Sequence, residues 1–353
     1  MTALLEIDDL TVALPVGDER RTVLRNVSLS VDEGRTVGLV GESGSGKSMT
    51  VRAISRLLPP GAQTTGRIRF DDREVLDLRG EALRRYRASD VAMIFQDARA
   101  HTNPVRRIGD FLTESMILNA RTSRRDATRR AIELLESVGI TDPERRLRQY
   151  PHELSGGLLQ RVMIAAAVAV RPRLILADEP TTALDVTTQA EVMAILMRMQ
   201  REYGMAMMFI THDLELASAV CDETVVLYAG EVVEQQRSAH LHRDPLHPYT
   251  AALVQARPDI AHRAERLLSV PGHPTTAYEA PEGCSFAPRC RFVTDACRAT
   301  HPPLLQIGAA GTSRCIRAEE LRGRLLAPPT ETAASSASAP DPAPAVSAEE
   351  VTR

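Results

Sequence analysis

The stretch Gly41-Glu42-Ser43-Gly44-Ser45-Gly46-Lys47-Ser48 decides how this chain is read. It fits G-x-x-x-x-G-K-[ST], a loop whose backbone amides curl around phosphates. Arg35 to Val40 (RTVGLV) reads as a buried strand running into the loop, and Met49 to Leu58 as the helix running out. Gly41, Gly44 and Gly46 permit the tight curl, so successive N–H groups, that of Ser43 included, point inward as an anion nest. The helix start adds its partial positive charge. Lys47 is the single lysine among 43 lysine and arginine residues. Its ammonium is a compact point charge on a thin stem, whereas arginine's fork is wide and planar. Lys47 is expected to reach the β- and γ-phosphates of a nucleotide, and the Ser48 hydroxyl to ligate Mg²⁺.

The bulk numbers bound the rest. At 353 residues there is room for one large or two smaller domains. A net charge of −3 provides no overall field for nucleic acid or an anionic membrane, so no nucleic-acid partner is expected. No run of about 18 apolar residues appears, so no transmembrane helix is expected. The start, MTALLEIDDL, is acidic where a secretory signal is basic, so the chain is expected to stay in the cytoplasm. In a reducing compartment the five cysteines are thiols or metal ligands and not disulfides.

Residues 4 to 40 alternate in a β-like way, with Pro15–Arg21 as a polar hairpin loop. Short strands are expected at Arg67–Asp71, Val91–Phe95, Leu174–Ala177, Met205–Thr211 and Glu223–Tyr228, with Gly230–Glu234 as a last edge strand. Helices fall between them: Glu81–Arg87, several over 107–147, Gln160–Val170 and Thr187–Tyr203. Strands alternating with helices imply an α/β domain with a largely parallel sheet, and the β-rich start adds a smaller antiparallel part. Met193, Met197 and Met199 fit core packing, and the arginines of 121–130 a solvated helix face. Composition shifts after Arg243. Residues 244 to 320 are rich in Pro, Cys and Arg, and Ala327–Arg353 reads as a disordered Ala/Pro/Ser tail.

A phosphate loop needs a partner acid. Leu174-Ile175-Leu176-Ala177-Asp178-Glu179 supplies two at the end of a buried strand. Asp178 is expected to hold magnesium through water and Glu179 to act as general base on the attacking water. Just upstream, Ser155-Gly156-Gly157 opens a helix and forms a second phosphate-binding surface. Two phosphate surfaces and one lysine suggest a head-to-tail dimer, with Ser155–Gly157 of one subunit closing on the nucleotide of the other.

GESGSGKS, Gln96, LSGG-x-x-QR, LILADEP, TALD and His212, in that order, resemble the motif set of the ATP-binding subunit of an ABC transporter over residues 4 to about 245. The resemblance implies a P-loop ABC ATPase domain over 1–243: a RecA-like parallel-sheet core, an antiparallel β subdomain and a helical subdomain near 97–165. A small Cys-containing extension, 244–326, and the tail, 327–353, follow. It further implies that Gln96 senses Mg²⁺ and couples to membrane subunits, that Ala183-Leu184-Asp185 signals across the dimer, and that His212 contacts the γ-phosphate and holds the Glu179–water geometry. Two departures stand out. Leu158 replaces the family's usual glutamine. The aromatic residue that usually stacks on adenine is missing: its place falls near Leu14, and residues 1 to 30 contain no Phe, Tyr or Trp. Leu14 offers apolar contact alone, so loose base selectivity is expected.

Asp244–Thr250 (DPLHPYT), the cysteine block, Phe95-Gln96-Asp97 with Asn103-Pro104, and Tyr150–Leu154 resemble the oligopeptide/dipeptide importer branch. That implies an ATPase driving peptide uptake from the cytoplasmic face of the membrane, with nickel-chelate or glutathione uptake as alternatives. Its implied partners are a second ABC ATPase subunit, two transmembrane permease subunits and an extracytoplasmic substrate-binding protein. Cys284, Cys290, Cys297 and Cys315 are spaced C-x5-C-x6-C-x17-C, which leaves Zn²⁺, a cluster and free thiols open. The resemblance favours a [4Fe–4S] cluster, clamping a segment too poor in apolar residues to fold alone. Cys221 reads as an inert core thiol. A soluble ABC protein of translation or DNA repair usually has two cassettes or a long coiled-coil insertion, and this chain has neither. Intact Lys47, Glu179 and His212 argue against a degenerate regulatory module, and the importer-like C-terminal part argues against an exporter.

Overall fold

Alternating apolar residues in a computed structural model, which describes residues 3–119, 121–182, 184–256 and 270–327, build two sheets. Strands β1 (Ala3–Val16) and β2 (Glu19–Asp32) pair as a long antiparallel hairpin. The turn is tighter than the expected Pro15–Arg21 loop, because Gly17 adopts φ 60 and the strands run almost to it. Strand β3 (Thr36–Val40) enters the phosphate loop and α1 (Lys47–Ile54) leaves it. The helix stops short of the expected Leu58: Arg56 has φ 59, which ends helical geometry. Strands β4 (Gln63–Phe70) and β5 (Arg73–Glu74) then turn about Asp71 and Asp72, both at positive φ. The first sheet has the order β2-β1-β4-β5.

Next come α2 (Gly80–Arg85), β6 (Val91–Ile94), α3 (Ile108–Leu118), α4 (Arg124–Ser137), α5 (Pro143–Arg148) and α6 (Gly156–Val168). Strand β7 (Leu174–Asp178), α7 (Val186–Tyr203), β8 (Ala206–Thr211), α8 (Leu214–Val220), β9 (Glu223–Tyr228) and β10 (Glu231–Arg237) follow. The C-terminal part adds α9 (Ser238–Leu241), α10 (Pro248–Gln255), α11 (Asp295–Ala299), β11 (Leu305–Ile307), β12 (Gly311–Ser313) and α12 (Ala318–Leu321). The second sheet runs β11-β12-β10-β9-β3-β8-β7-β6, parallel from β9 to β6. Among the described residues no helix is long and apolar enough to cross a membrane. Of the expected tail only Ala327 is described, and Ala183 also lies outside the described residues.

Period-two alternation splits the core across the large sheet. Leu174 and Leu176 of β7 pack with β1, β2, α1 and β4, whereas Ile175 and Ala177 pack with the helices of the other face. Met193 and Met199 are buried in the helical layer, and Cys221 is buried beside Gly38, with its thiol pushed up by burial. On α4, Arg124, Arg125 and Arg129 face solvent.

Strand β10 is not the edge that the sequence suggested. Gly311–Ser313 pair with Glu234–Gln236, and β11 pairs outside them. A Cβ on Gly311 would stand 2.2 Å from the Gln235 carbonyl oxygen, so only glycine lets the backbones approach. The C-terminal extension therefore continues the main sheet.

Candidate functional site

The phosphate loop, Gln96, Glu179 and His212 follow β3, β6, β7 and β8, at the carboxyl ends of parallel strands, where α/β sheets place their ligands. At Gly41 a Cβ would lie 2.2 Å from the Leu227 carbonyl oxygen, and Gly46 has φ 107, so the loop's path is open to glycine alone. The Lys47 ammonium, 6% exposed, donates to the carbonyl oxygens of Gly41 at 2.7 Å and Glu42 at 3.0 Å. Burial lowers its pKa, and the charges of Glu179, Asp178 and Glu42 work against that. The loop thus stores its cation on its own carbonyls.

Ser48 donates its hydroxyl to the Asp178 carboxylate at 3.1 Å. Burial raises the Asp178 pKa, the Ser48 hydrogen bond lowers it, and the Glu179 charge raises it further. Two adjacent hard oxygen donors with Gln96 close by suit Mg²⁺. Glu179 sits at φ 46, just past the strand, with its N–H on the Ile210 carbonyl at 3.0 Å. One of its carboxylate oxygens, Oε2, gathers three side chains: Gln96 Nε2 at 3.2 Å, the Thr182 hydroxyl at 2.9 Å and His212 Nδ1 at 3.4 Å. Thr182 was not singled out from the sequence; its place three residues after Glu179, in the turn following a strand, is the signal that points to it.

A cavity of about 900 Å³ joins these groups. Its walls include Gly41, Ser43, Gly44, Gly46, Lys47, Ser48, Gln96, Glu179 and His212. Leu14 lines its far end, together with residues 274 and 276–278 of the extension. Ser155, Gly156, Gly157 and Asp185 are elsewhere, lining a separate cavity of about 360 Å³ with Leu158 and Thr188. There the Ser155 hydroxyl accepts from the Leu158 N–H at 3.3 Å, capping α6. Asp185 caps α7 through Thr188, whose backbone and hydroxyl hydrogen bonds lower its pKa.

The extension grips the loop from behind, a contact the sequence did not announce. Arg289, its side chain 3% exposed, forks onto Glu42 at 2.7 and 3.1 Å. It also donates to the Pro271 carbonyl at 2.6 Å and lies over Tyr228 and Phe286. The Glu42 N–H donates to the Tyr249 hydroxyl at 2.9 Å. Tyr228, Tyr249 and Phe286 form one ring cluster with centroids 4.6 to 5.3 Å apart.

The expected metal group at the four cysteines is not supported. Cys284, Cys290, Cys297 and Cys315 do line one void, but it measures about 20 Å³. That is room for about one water as the side chains stand. Among the described residues no group of three or more His, Cys, Asp or Glu is arranged to hold a metal ion. Burial pushes Cys290 up to about 12 and Cys315 up to about 11, so without a metal both stand as thiols. The segment is also held by the cassette's sheet, by its aromatic cluster and by Glu42.

Such a fold and site define a P-loop nucleotide-hydrolysing cassette. Known families agree: "ABC transporter" matches residues 24–182, and "oligopeptide/dipeptide transporter, C-terminal region" matches 233–297. A putative peptide import ATP-binding protein of Brucella melitensis is 42% identical over 337 residues, covering 90% of this chain and 98% of the relative. The oligopeptide transport ATP-binding protein OppD of Escherichia coli is 39% identical over 318 residues, covering 90% and 94%. A dimeric ATP-binding cassette solved in a post-hydrolysis state with ADP and Pi superposes with a TM-score of 0.60 at 30% identity, over 66% of this chain and 98% of that one. The chain belongs to the ATP-binding proteins of ABC transporters, in the branch that carries the oligopeptide/dipeptide transporter C-terminal region, and it is an ATPase.

Proposed function

We propose that this chain is the ATP-hydrolysing motor subunit of an ABC importer for peptides. One observation carries the reading: Gln96, Thr182 and His212 converge on a single oxygen of Glu179 at the rim of the phosphate-loop cavity. Glu179 takes the proton of the attacking water, and His212 and Gln96 hold it in line. Lys47, the loop amides, and Ser155–Gly157 of a second cassette neutralise the phosphate charge, while Asp185 relays closure. Ser48, Asp178 and Gln96 would hold Mg²⁺, which would supply further charge neutralisation there. Support for the closing cassette is the separation of Ser155–Gly157 and Asp185 from the loop within one chain. The chain divides into a nucleotide-binding part, 1–243 with a helical portion near 97–165, and an extension, 244–326, that shares its sheet.

Support for permease partners comes from a groove of about 460 Å³ that opens beside Gln96, lined by Phe95, Phe111, Leu118 and Met163. Tagged Glu179→Gln protein with Mg·ATP, pulled from solubilised membranes, is expected to bring two polytopic subunits, a second ATPase and a substrate-binding protein. Recovery of ribosomes or repair factors without a membrane partner would overturn the importer reading. A metal-loaded form of the four-cysteine pocket is the finer reading of that segment, supported by all four thiols lining one void. Iron and zinc assay of anaerobically purified protein tests it; neither metal near stoichiometry leaves the thiols as packing.

A further inference from the structure

The far end of the phosphate-loop cavity poses a problem that the N-terminal strands do not solve. From β1 and β2 it receives Leu14 and Val23, which are apolar but not aromatic. Its one tyrosine, Tyr278, comes from the extension and is 46% exposed. The other ring among the described wall residues, His212, is engaged beside Glu179. Tyr278 rides on a turn that is built to hold it. The Glu279 N–H donates to the Thr276 carbonyl at 3.1 Å, and the Thr276 hydroxyl donates to the Glu279 carboxylate at 2.5 Å. Ala277 is buried against Gly230, where an added Cβ would stand only 2.7 Å from its own Cβ. Thr276 reaches to within 3.9 Å of the place a Cβ would occupy on Gly44, so the turn abuts the phosphate loop itself. The Arg21 guanidinium lies 4.9 Å from the Tyr278 ring centroid and braces it from β2.

We propose that Tyr278 of the C-terminal extension is the platform on which the base of the nucleotide lies, in place of an aromatic residue on the N-terminal strands. The proposal rests on the reading of the phosphate loop as the ATP site. A flat ring accepts any base by its face, so affinity is gained with little discrimination between ATP and GTP. It also gives the extension a direct part in binding, beyond its grip on Glu42.

The chain contains no tryptophan, so Tyr278→Trp in the full-length protein creates a single reporter at the proposed contact. Its emission is expected to quench on Mg·ATP and to stay unchanged on Mg·tripolyphosphate, which has no base. Tyr278→Ala is expected to weaken ATP binding about tenfold, with Tyr278→Phe close to wild type and tripolyphosphate affinity the same in all three. Unchanged ATP affinity in Tyr278→Ala overturns the proposal and leaves the phosphate loop intact as the site. Equal losses of ATP and tripolyphosphate also overturn it, since the ring then acts through the fold. Normal ATP binding by Lys47→Ala would remove the site reading, and the proposal with it.

Discussion

Replacing Arg289 by methionine keeps the volume of the side chain and deletes its charge. In the structure this guanidinium makes the forked pair with Glu42 and takes up the Pro271 carbonyl, all from a position 3% exposed. Breaking one side of a buried, hydrogen-bonded ion pair costs about 3–5 kcal/mol, because the remaining charge is stranded. Glu42 keeps 22% of its side-chain exposure, so water takes up part of that charge and the low end, about 3 kcal/mol, is expected. At about 2 cal/mol/K per residue, 353 residues have an unfolding entropy of about 0.7 kcal/mol/K. The melting temperature should therefore fall by about 4 °C, read by circular dichroism at fixed scan rate. Glu42 is the second residue of the phosphate loop, so the KM for ATP should rise as well. Arg289→Lys keeps the charge but not the fork and should fall between. Glu42→Gln in the Arg289→Met background should recover part of the loss, since no unpaired charge is left. A melting point within about 1 °C of wild type, with unchanged KM, would refute the view that the extension holds the loop.

Glu179→Gln should bind ATP normally and lose turnover by about 10²–10⁴-fold, the usual share of a general base; retained steady-state hydrolysis by the purified protein would remove Glu179 from that role. His247 is buried, with its ring accepting the Tyr249 N–H at 3.0 Å, and desolvation pulls its pKa from 6.5 to about 3. Because the folded value is depressed, the stability is present above about pH 6.5 and is lost as pH falls toward 3. Glu234 has the opposite sign: burial raises it from 4.5 to about 7, so its contribution is present below 4.5 and lost as pH rises through 7. His247→Asn, which keeps a cap acceptor while Glu234 still titrates, isolates the histidine. Wild type should lose about 2 kcal/mol more than the variant between pH 7 and 5, measured by urea unfolding; parallel pH profiles would sink the assignment.

How much could be read in the sequence follows from how local each feature is. The phosphate loop, Glu179 and His212 each sit directly after a buried parallel strand, and Asp178 ends one, so strand, turn and chemistry lie in one short window. Convergence then comes free, because parallel strands bring their carboxyl ends to one edge. The capping roles of Ser155 and Asp185 are local too, set by residues three positions on. What stayed hidden depends on distance along the chain. Glu42 and Arg289 are 247 positions apart, and nothing in either neighbourhood names the other. Gly311–Ser313 is too short to carry a periodic pattern, so β10 looked like an edge. For the four cysteines, spacing fixes which thiols are near one another but not the size of the space between them.

The solitary lysine has a practical corollary. A lysine-specific protease has a single internal bond to cut in this chain, the one after Lys47, and that residue opens α1 with 6% of its surface exposed. Cutting there requires the phosphate loop to leave its seat, so the rate of appearance of one pair of fragments counts openings of a single loop in an otherwise intact molecule. An amine-selective label offers the same address, with only the chain's α-amine as a second target.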